Sequence, residues 1–176
     1  METEHYVFFY GHHPNKSGVN VFSQWYPMSF SETTYTKNGK KIIQEFVNME
    51  QYMMAYKAVL FDDIDHFDKI LNTTDPALIK QYGRKIANFK QKEWDESKMI
   101  IVTNGNKLKF GQNPELMKRL LATGNKIIVE ANPHDKVWGI GLSATDAIKI
   151  PSSQWPGQNL LGKALMIVRD EHKNDC

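Results

Sequence analysis

Cysteine is almost missing from this sequence, and so are the sites that cysteine builds. The single cysteine, Cys176, is the last residue. A disulfide within one chain needs two cysteines, and a cysteine-based zinc site needs several. Both are therefore excluded within one chain, and Cys176 is assigned no chemical role.

Long apolar runs are missing as well. No stretch reaches the roughly 18 apolar residues that a membrane-spanning helix needs. The first residues, Met1 to His5, include two glutamates and no apolar run, which does not fit a secretory signal. We therefore expect a cytoplasmic protein without a membrane partner.

The common metal and cofactor motifs are also absent. There is no nucleophile elbow of the GxSxG type and no P-loop, and the GxG of Gly139 to Gly141 lacks the third glycine of a dinucleotide-binding turn. We therefore expect no metal and no cofactor. The histidines show no ligand spacing such as HExxH; they are His5, His12, His13, His66, His134 and His172.

The residues that are present suffice for one domain. The chain has 176 residues, of which 41% are hydrophobic, and a formal net charge of +2. These values predict a single domain over residues 1–176 with a substantial core. Acids and bases are scattered through both halves, which argues against a broad nucleic-acid surface. A few lysines beside a pocket would still hold one phosphate.

Local patterns predict a short sheet and several helices. Helix starts are indicated by capping residues followed in two places by proline, and strands by apolar runs bounded by turn residues. The fold is therefore expected to be α+β, a single helix-rich domain with a small β-sheet. The expected strands and loops are a strand over Tyr6–Tyr10, a loop over 11–18, an irregular or edge segment over Phe22–Phe30, a turn at Asn38-Gly39 before a strand over Ile42–Val47, a strand over Lys126–Glu130 and a loop over 131–157. The expected helices run from the cap Asn48 to about Phe61, from Thr74 or Asp75 through Pro76 to Gly83 or Ala87, from Trp94 to about Asn104, from Asn113 through Pro114 to a stop at Gly124, and from Asn159 to Glu171.

Two segments place acids beside aromatic and apolar residues. Glu50 and Lys57 are seven positions apart on a predicted helix, so they lie near one line along it. The pair is either a charged rim with Lys57 in solvent or the mouth of a pocket. Glu130 and Asp135 fall at a predicted strand end and in the loop that follows, where Trp138 offers a flat face. Such loops often carry working residues, although loop anchoring accounts for them equally well.

Two further segments combine amide side chains with predicted helix starts. Asn159 reads as an N-cap between Gly157 and Gly162, and the helix start behind it is a potential anion site. Gln112 and Asn113 carry amides that suit either substrate hydrogen bonds or helix capping.

A series of short motifs runs in order through most of the chain. The motifs are Phe22-Ser23-Gln24-Trp25-Tyr26-Pro27, Glu50-Gln51-Tyr52-Met53 with Lys57-Ala58, Trp94, Lys109-Phe110-Gly111-Gln112-Asn113, Thr123-Gly124, Glu130, Asp135, Trp138-Gly139-Ile140-Gly141, Trp155-Pro156-Gly157-Gln158-Asn159-Leu160-Leu161-Gly162 and Leu165-Met166-Ile167-Val168-Arg169. In this order the series resembles the NADAR superfamily, whose best-known members are the YbiA-like riboflavin-biosynthesis-intermediate N-glycosidases. One departure is Gln51, which stands where that family usually has histidine.

The resemblance implies an enzyme that hydrolyses the N-glycosidic bond between a ribosyl group and a nitrogen base. Breaking this bond builds positive charge on the ribose, which a carboxylate stabilises while an acid protonates the departing nitrogen. We expect Glu50 and Asp135 to be the catalytic pair, with Glu130 in reserve. The expected substrate-binding residues are Trp94, Trp138, Trp155, Lys57, Asn159, Gln112 and Asn113.

The resemblance also implies two substrate types that expose the same bond. One is 5-amino-6-(5-phosphoribosylamino)uracil, which would give ribose 5-phosphate and a diaminouracil. The other is an ADP-ribosyl group on nitrogen, including ADP-ribose on a guanine base, which would make an ADP-ribosylated nucleic acid a partner. A module that binds ADP-ribose or NAD without cutting it, and a plain interaction domain, are the alternatives from other functional classes.

Overall fold

The computed structural model describes residues 1–13, 18–35 and 37–174, so Cys176 lies outside the described residues. Helices predominate, and the strands form two small sheets. The predicted α+β class is confirmed. The elements are β1 (Tyr6–Phe9), β2 (Phe30–Tyr35), β3 (Lys41–Phe46), α1 (Met49–Leu60), α2 (Ile64–Leu71), α3 (Pro76–Lys85), α4 (Gln91–Gly111), α5 (Pro114–Leu121), β4 (Ile127–Glu130), α6 (Ala144–Ala147) and α7 (Leu160–Asn174), with short 3-10 turns at Val19–Phe22 and Ser152–Gln154.

The chain divides into two compact units. The first consists of Met1–Tyr26 and Pro114–Cys176, and the second of Pro27–Asn113. This division concerns packing within the chain, and the expectation of one domain over residues 1–176 stays a prediction.

The first unit is organised around a parallel pair of strands. Tyr6 of β1 lies opposite Ile127 of β4, and Phe9 lies opposite Glu130. Helix α7 packs on β4. Because the strands are parallel, their carboxyl ends meet at one edge, where the segment after Glu130 begins. The buried cluster of this unit consists of Phe8, Val129, Ala131, Ile140 and Ala147.

The second unit joins an antiparallel hairpin to a group of helices. Strands β2 and β3 pair from Phe30 opposite Phe46 to Tyr35 opposite Lys41. Helix α1 is central, because it packs on α2, α3 and α4. Helix α4 approaches it closely at Gly105, where an added Cβ would come within 2.6 Å of the Tyr52 ring.

Helix α1 begins at a side-chain cap. The Oδ1 atom of Asn48 accepts a hydrogen bond from the Gln51 N–H at 2.9 Å, as expected for an asparagine at this position. The Gln51 side chain then accepts from the Val47 N–H at 2.8 Å and donates to the carbonyls of Ile70 and Thr73 at 3.1 and 2.9 Å. Gln51 therefore fastens the start of α1 to the end of α2.

Several sequence-based boundaries are confirmed, two expectations were wrong, and one helix was missed. The strands near Tyr6, Ile42 and Lys126 and the helices capped by Asn48 and Asp75 are present. The helix expected to end near Asn104 instead continues to Gly111, helix α2 was not predicted, and the segment 131–157 is not all loop, since it contains α6 and a 3-10 turn.

Among the helices of the described ranges, none combines the length and the apolar character needed to cross a lipid bilayer.

Candidate functional site

In the second unit, Glu50 and Lys57 lie on the same helix, and the charge of Glu50 acts on Lys57. Glu50 is in the first turn of α1 and Lys57 in the last. Burial lowers the pKa of Lys57 below its ordinary value, and the negative charge of Glu50 opposes that shift. Lys57 is half-buried, so the solvated rim considered from the sequence is not what the structure shows.

The Lys57 ammonium group is held in an aromatic recess. Its Nζ donates to the carbonyl of Gly83 at 2.9 Å. The same atom lies 4.4 Å from the ring centre of Phe89 and 5.6 Å from that of Trp94, distances at which a cation is attracted by the ring face. Trp94 itself is buried on α4. Lys57 and Trp94 are therefore brought together within this unit, and Glu50 acts on Lys57 through its charge.

The amides of Gln112 and Asn113 are engaged by the backbone. Gln112 accepts from the N–H of Ser31 at 2.9 Å and donates to the carbonyl of the same residue at 2.6 Å, as a neighbouring strand would. Asn113 donates to the carbonyl of Lys109 at 2.7 Å. Both bind the protein's own backbone in this structure, and their role as substrate ligands stays a prediction.

Sequence reasoning did not single out the buried polar face of α4. Lys109 is fully buried, and burial lowers its pKa to about 7. Asn106, one turn earlier, is also buried and donates to the carbonyl of Val102 at 2.9 Å. The sequence did offer a signal, because Lys109 is the first residue of the motif Lys109-Phe110-Gly111-Gln112-Asn113. The predicted helix, however, ended before this residue.

In the first unit, Glu130 stands at the carboxyl end of β4. Its N–H donates to Oδ1 of Asn159 at 3.0 Å, and its carbonyl accepts from the N–H of Ile140 at 3.0 Å. One carboxylate oxygen, Oε2, is buried. The backbone of Glu130 thus joins the strand end to the loop that carries Asp135.

Asp135 organises that loop. Its Oδ1 atom accepts hydrogen bonds from the N–H groups of Val137 and Trp138 at 2.8 and 2.9 Å. Its carbonyl accepts from the N–H of Gly141 at 2.9 Å. These bonds fix one carboxylate oxygen and orient the side chain, while Oδ2 accepts no hydrogen bond from the described residues.

The start of α7 is bonded to the same loop. The N–H groups of Asn159, Leu160 and Leu161 donate to the carbonyls of Gly139, Val137 and Trp138 at 3.1 to 3.2 Å. The anion site expected at this helix start would need these donors, which the loop already occupies.

The Asn159 side chain binds the edge of β4. Its Nδ2 donates to the carbonyl of Ile128 at 2.9 Å, while its Oδ1 accepts from Glu130. Gly162 makes this approach possible, since an added Cβ there would lie 2.1 Å from the Ile128 carbonyl oxygen. Asn159 as a substrate ligand stays a prediction.

Trp155 and Trp138, both in the first unit, differ in their surroundings. Trp155 donates from Nε1 to the carbonyl of Ala147 at 3.1 Å, and its ring packs against Tyr6 and Phe8. Trp155 therefore packs against the buried cluster of this unit. Trp138 is half-buried in the Asp135 loop, where a ring can meet a ligand.

Within the second unit, one set of described residues at the start of α2 could ligate a metal. Asp63, Asp65 and His66 have ligand atoms within 4.8 Å of one another. Asp63 caps α2, accepting from the His66 backbone N–H and ring and from the Ala87 N–H. Burial by itself raises the Asp63 pKa, but these hydrogen bonds outweigh burial and lower it. A capping role accounts for this arrangement.

Comparison with known proteins decides the family. The NADAR domain profile matches residues 8–173. The chain belongs to the NADAR family. N-glycosidase R617 of Acanthamoeba polyphaga mimivirus is 55% identical over 173 residues, covering 98% of this chain and 99% of that protein. The riboflavin biosynthesis protein PYRR of Zea mays is 30% identical over 131 residues, covering 70% of this chain and 19% of that protein.

A solved structure supports the architecture. The NMR structure of the Escherichia coli protein YbiA matches 99% of this chain and 89% of that chain with a TM-score of 0.72 and 23% identity. At this identity the match shows the fold. Within the NADAR fold, Glu50, Lys57 and Trp94 belong to one unit and Glu130, Asp135 and Trp138 to the other. The pairing of Glu50 with Asp135 stays a prediction.

Proposed function

We propose that this chain is an N-glycosidase that hydrolyses the bond between ribose C1′ and the amine nitrogen of 5-amino-6-(5-phosphoribosylamino)uracil. The observation that carries the reaction class is the 55% identity, over nearly the full length of both chains, to a protein named an N-glycosidase. The substrate class is supported by the similarity to proteins named for riboflavin biosynthesis.

The proposed chemistry assigns charge stabilisation to a carboxylate. As the C1′–N bond breaks, positive charge builds on the ribose ring, and a facing carboxylate lowers the barrier. Asp135 suits this task because Oδ1 is fixed by two backbone donors, which leaves Oδ2 to face the sugar. Glu50 is the second member of the proposed pair, and Glu130 the reserve.

Lys57 is the proposed phosphate-binding residue. An ammonium group has three donors, and one of them goes to the Gly83 carbonyl. The remaining donors lie in a partly desolvated recess beside Phe89 and Trp94, where attraction to a phosphate exceeds that in bulk water. Trp138 is proposed to stack on the departing base.

An assay with three substrates tests the proposal. The purified protein is incubated separately with the phosphoribosylamino-uracil, with DNA carrying ADP-ribose on guanine, and with NAD, and chromatography measures the products. We expect ribose 5-phosphate and a diaminouracil from the first. Release of ADP-ribose from the DNA alone would assign the enzyme to the second substrate type. Recovery of all three compounds uncleaved would contradict the proposal and favour a module that binds without cutting.

A further inference from the structure

In the outer half of the β2–β3 hairpin, the described residues are exposed on both faces. We call residues 33–35 and 37–43 the distal hairpin; every one of them is exposed. Tyr35, Ile43 and Ile42 are 67%, 56% and 43% exposed. A two-stranded ribbon that packs on nothing is marginal in water, so large apolar side chains on such a ribbon indicate a contact surface.

The inner half of the same hairpin is firmly anchored. Phe30 and Phe46 stack on each other and pack against Tyr52. Glu32 accepts a hydrogen bond from the Tyr56 hydroxyl, and Gln112 binds the backbone of Ser31. The distal hairpin is therefore continuous with an inner half that is held in place by packing and hydrogen bonds.

The charge of the distal hairpin has one sign. It contains Lys37, Lys40 and Lys41 and no acidic residue, so its charge of +3 exceeds the +2 of the whole chain. The scattered charge of the sequence therefore conceals one local basic surface. Two copies of the hairpin would bring like charges together, which disfavours a second copy of this chain as the occupant.

Aromatic and basic side chains share one face. Tyr35 lies opposite Lys41, and Thr33 lies opposite Ile43, and residues opposite each other in an antiparallel pair point to the same side. An exposed ring beside an ammonium group suits a polymer that alternates flat bases with phosphates. Bases of a single strand are open to stacking on an aromatic ring, whereas those of a duplex are not.

We propose that the distal hairpin binds single-stranded nucleic acid, with Lys37, Lys40 and Lys41 contacting phosphates and Tyr35 stacking on a base. This inference goes beyond the proposed function, because a free phosphoribosyl substrate requires no such surface. It concerns binding of an unmodified strand, so its failure is distinguishable from failure of the glycosidase assay.

Fluorescence anisotropy with a labelled oligothymidine of about 20 nucleotides tests the proposal, in salt between about 50 and 200 mM. Three phosphate contacts predict a log–log salt slope of about −2, or a loss of affinity of roughly 20-fold across that range. The triple variant Lys37→Ala, Lys40→Ala, Lys41→Ala should weaken binding and flatten the slope.

Matched variants separate a local site from general charge. Lys80→Ala, Lys85→Ala, Lys107→Ala removes the same charge from exposed positions on α3 and α4 and should leave the slope unchanged. Tyr35→Ala should lose at least about 5-fold in affinity, and Tyr35→Phe should retain it, because stacking needs the ring and not the hydroxyl.

Four results would overturn the proposal. They are equal binding by the two triple variants, equal affinity for duplex DNA of the same length, equal displacement by poly-glutamate at matched charge, and a wild-type dimer in sedimentation that Tyr35→Ala separates. The last two would assign the surface to an acidic protein segment or to self-association.

Discussion

Lys109 makes the stability of this protein depend on pH in a direction that can be worked out from its burial. The residue is fully buried, and burial lowers its pKa from the ordinary 10.5 to about 7. Between those two values the unfolded chain holds a proton on Lys109 that the folded chain does not. Stability therefore rises with pH across this window, and below about pH 7 the full penalty is present.

The size of the effect follows from the same two values. Each tenfold change in proton affinity is worth about 1.4 kcal/mol, so the whole window corresponds to about 5 kcal/mol of unfolding free energy. From pH 7 to pH 9 the expected rise is about 2 kcal/mol. Burial raises the pKa values of Tyr52 and Tyr56 above the usual range for tyrosine, so these residues reduce stability only in more alkaline solution.

Urea unfolding at pH 7, 8 and 9 measures this rise. Lys109→Met removes the titrating group and keeps a long side chain, so its stability should rise less over the same range. Lys107→Met is the control, since Lys107 is exposed on the same helix. Lys57, whose pKa is also lowered, contributes in the same direction, so the difference between wild type and variant is the decisive quantity. Identical pH profiles for Lys109→Met and wild type would refute the reasoning.

Three further predictions concern catalysis and packing. Glu50→Gln should lower turnover of the preferred substrate by at least about 100-fold at matched thermal stability, because it removes charge and keeps shape; a wild-type rate would make Glu50 structural. EDTA should leave the wild-type rate unchanged, and loss of activity that a divalent metal restores would contradict this. Gly162→Ala should destabilise by about 1–3 kcal/mol, because its Cβ would meet the Ile128 carbonyl, whereas Gly111→Ala meets nothing within 4 Å and should be close to neutral in a thermal melt; equal melting shifts would count against the close contact.

Local signals in the sequence predicted two helices whose N-cap side chains accept hydrogen bonds from the first turn. Asn48 and Asp75 accept hydrogen bonds from backbone N–H groups within three residues, so α1 and α3 were predictable from capping residues. The continuation of α4 beyond Asn104 was not, because Asn104-Gly105-Asn106 reads as a turn. Gly105 is instead needed where α4 packs on Tyr52, and tertiary packing overrides local propensity there.

In the candidate site, too, local patterns predicted some features and long-range contacts determine the others. Glu50 and Lys57 could be paired from helical periodicity alone. The bonds of Asn159 to Ile128 and Glu130 span 31 and 29 residues. No pattern within the final helix indicates them, so the sequence suggested an N-cap with open amides where the fold has a junction between helix, loop and strand.

That junction has a consequence for how the region can be exchanged between relatives. Carbonyl groups of the loop 136–141 accept hydrogen bonds from the N–H groups at the start of α7, and the Asn159 side chain bonds that start to β4. The loop and the start of α7 therefore depend on each other for their backbone hydrogen bonds. A chimera that takes the Asp135 loop from a distant relative should fold only when residues 157–162 come from the same parent. Suppressors of loop mutations should likewise arise in the first turn of α7.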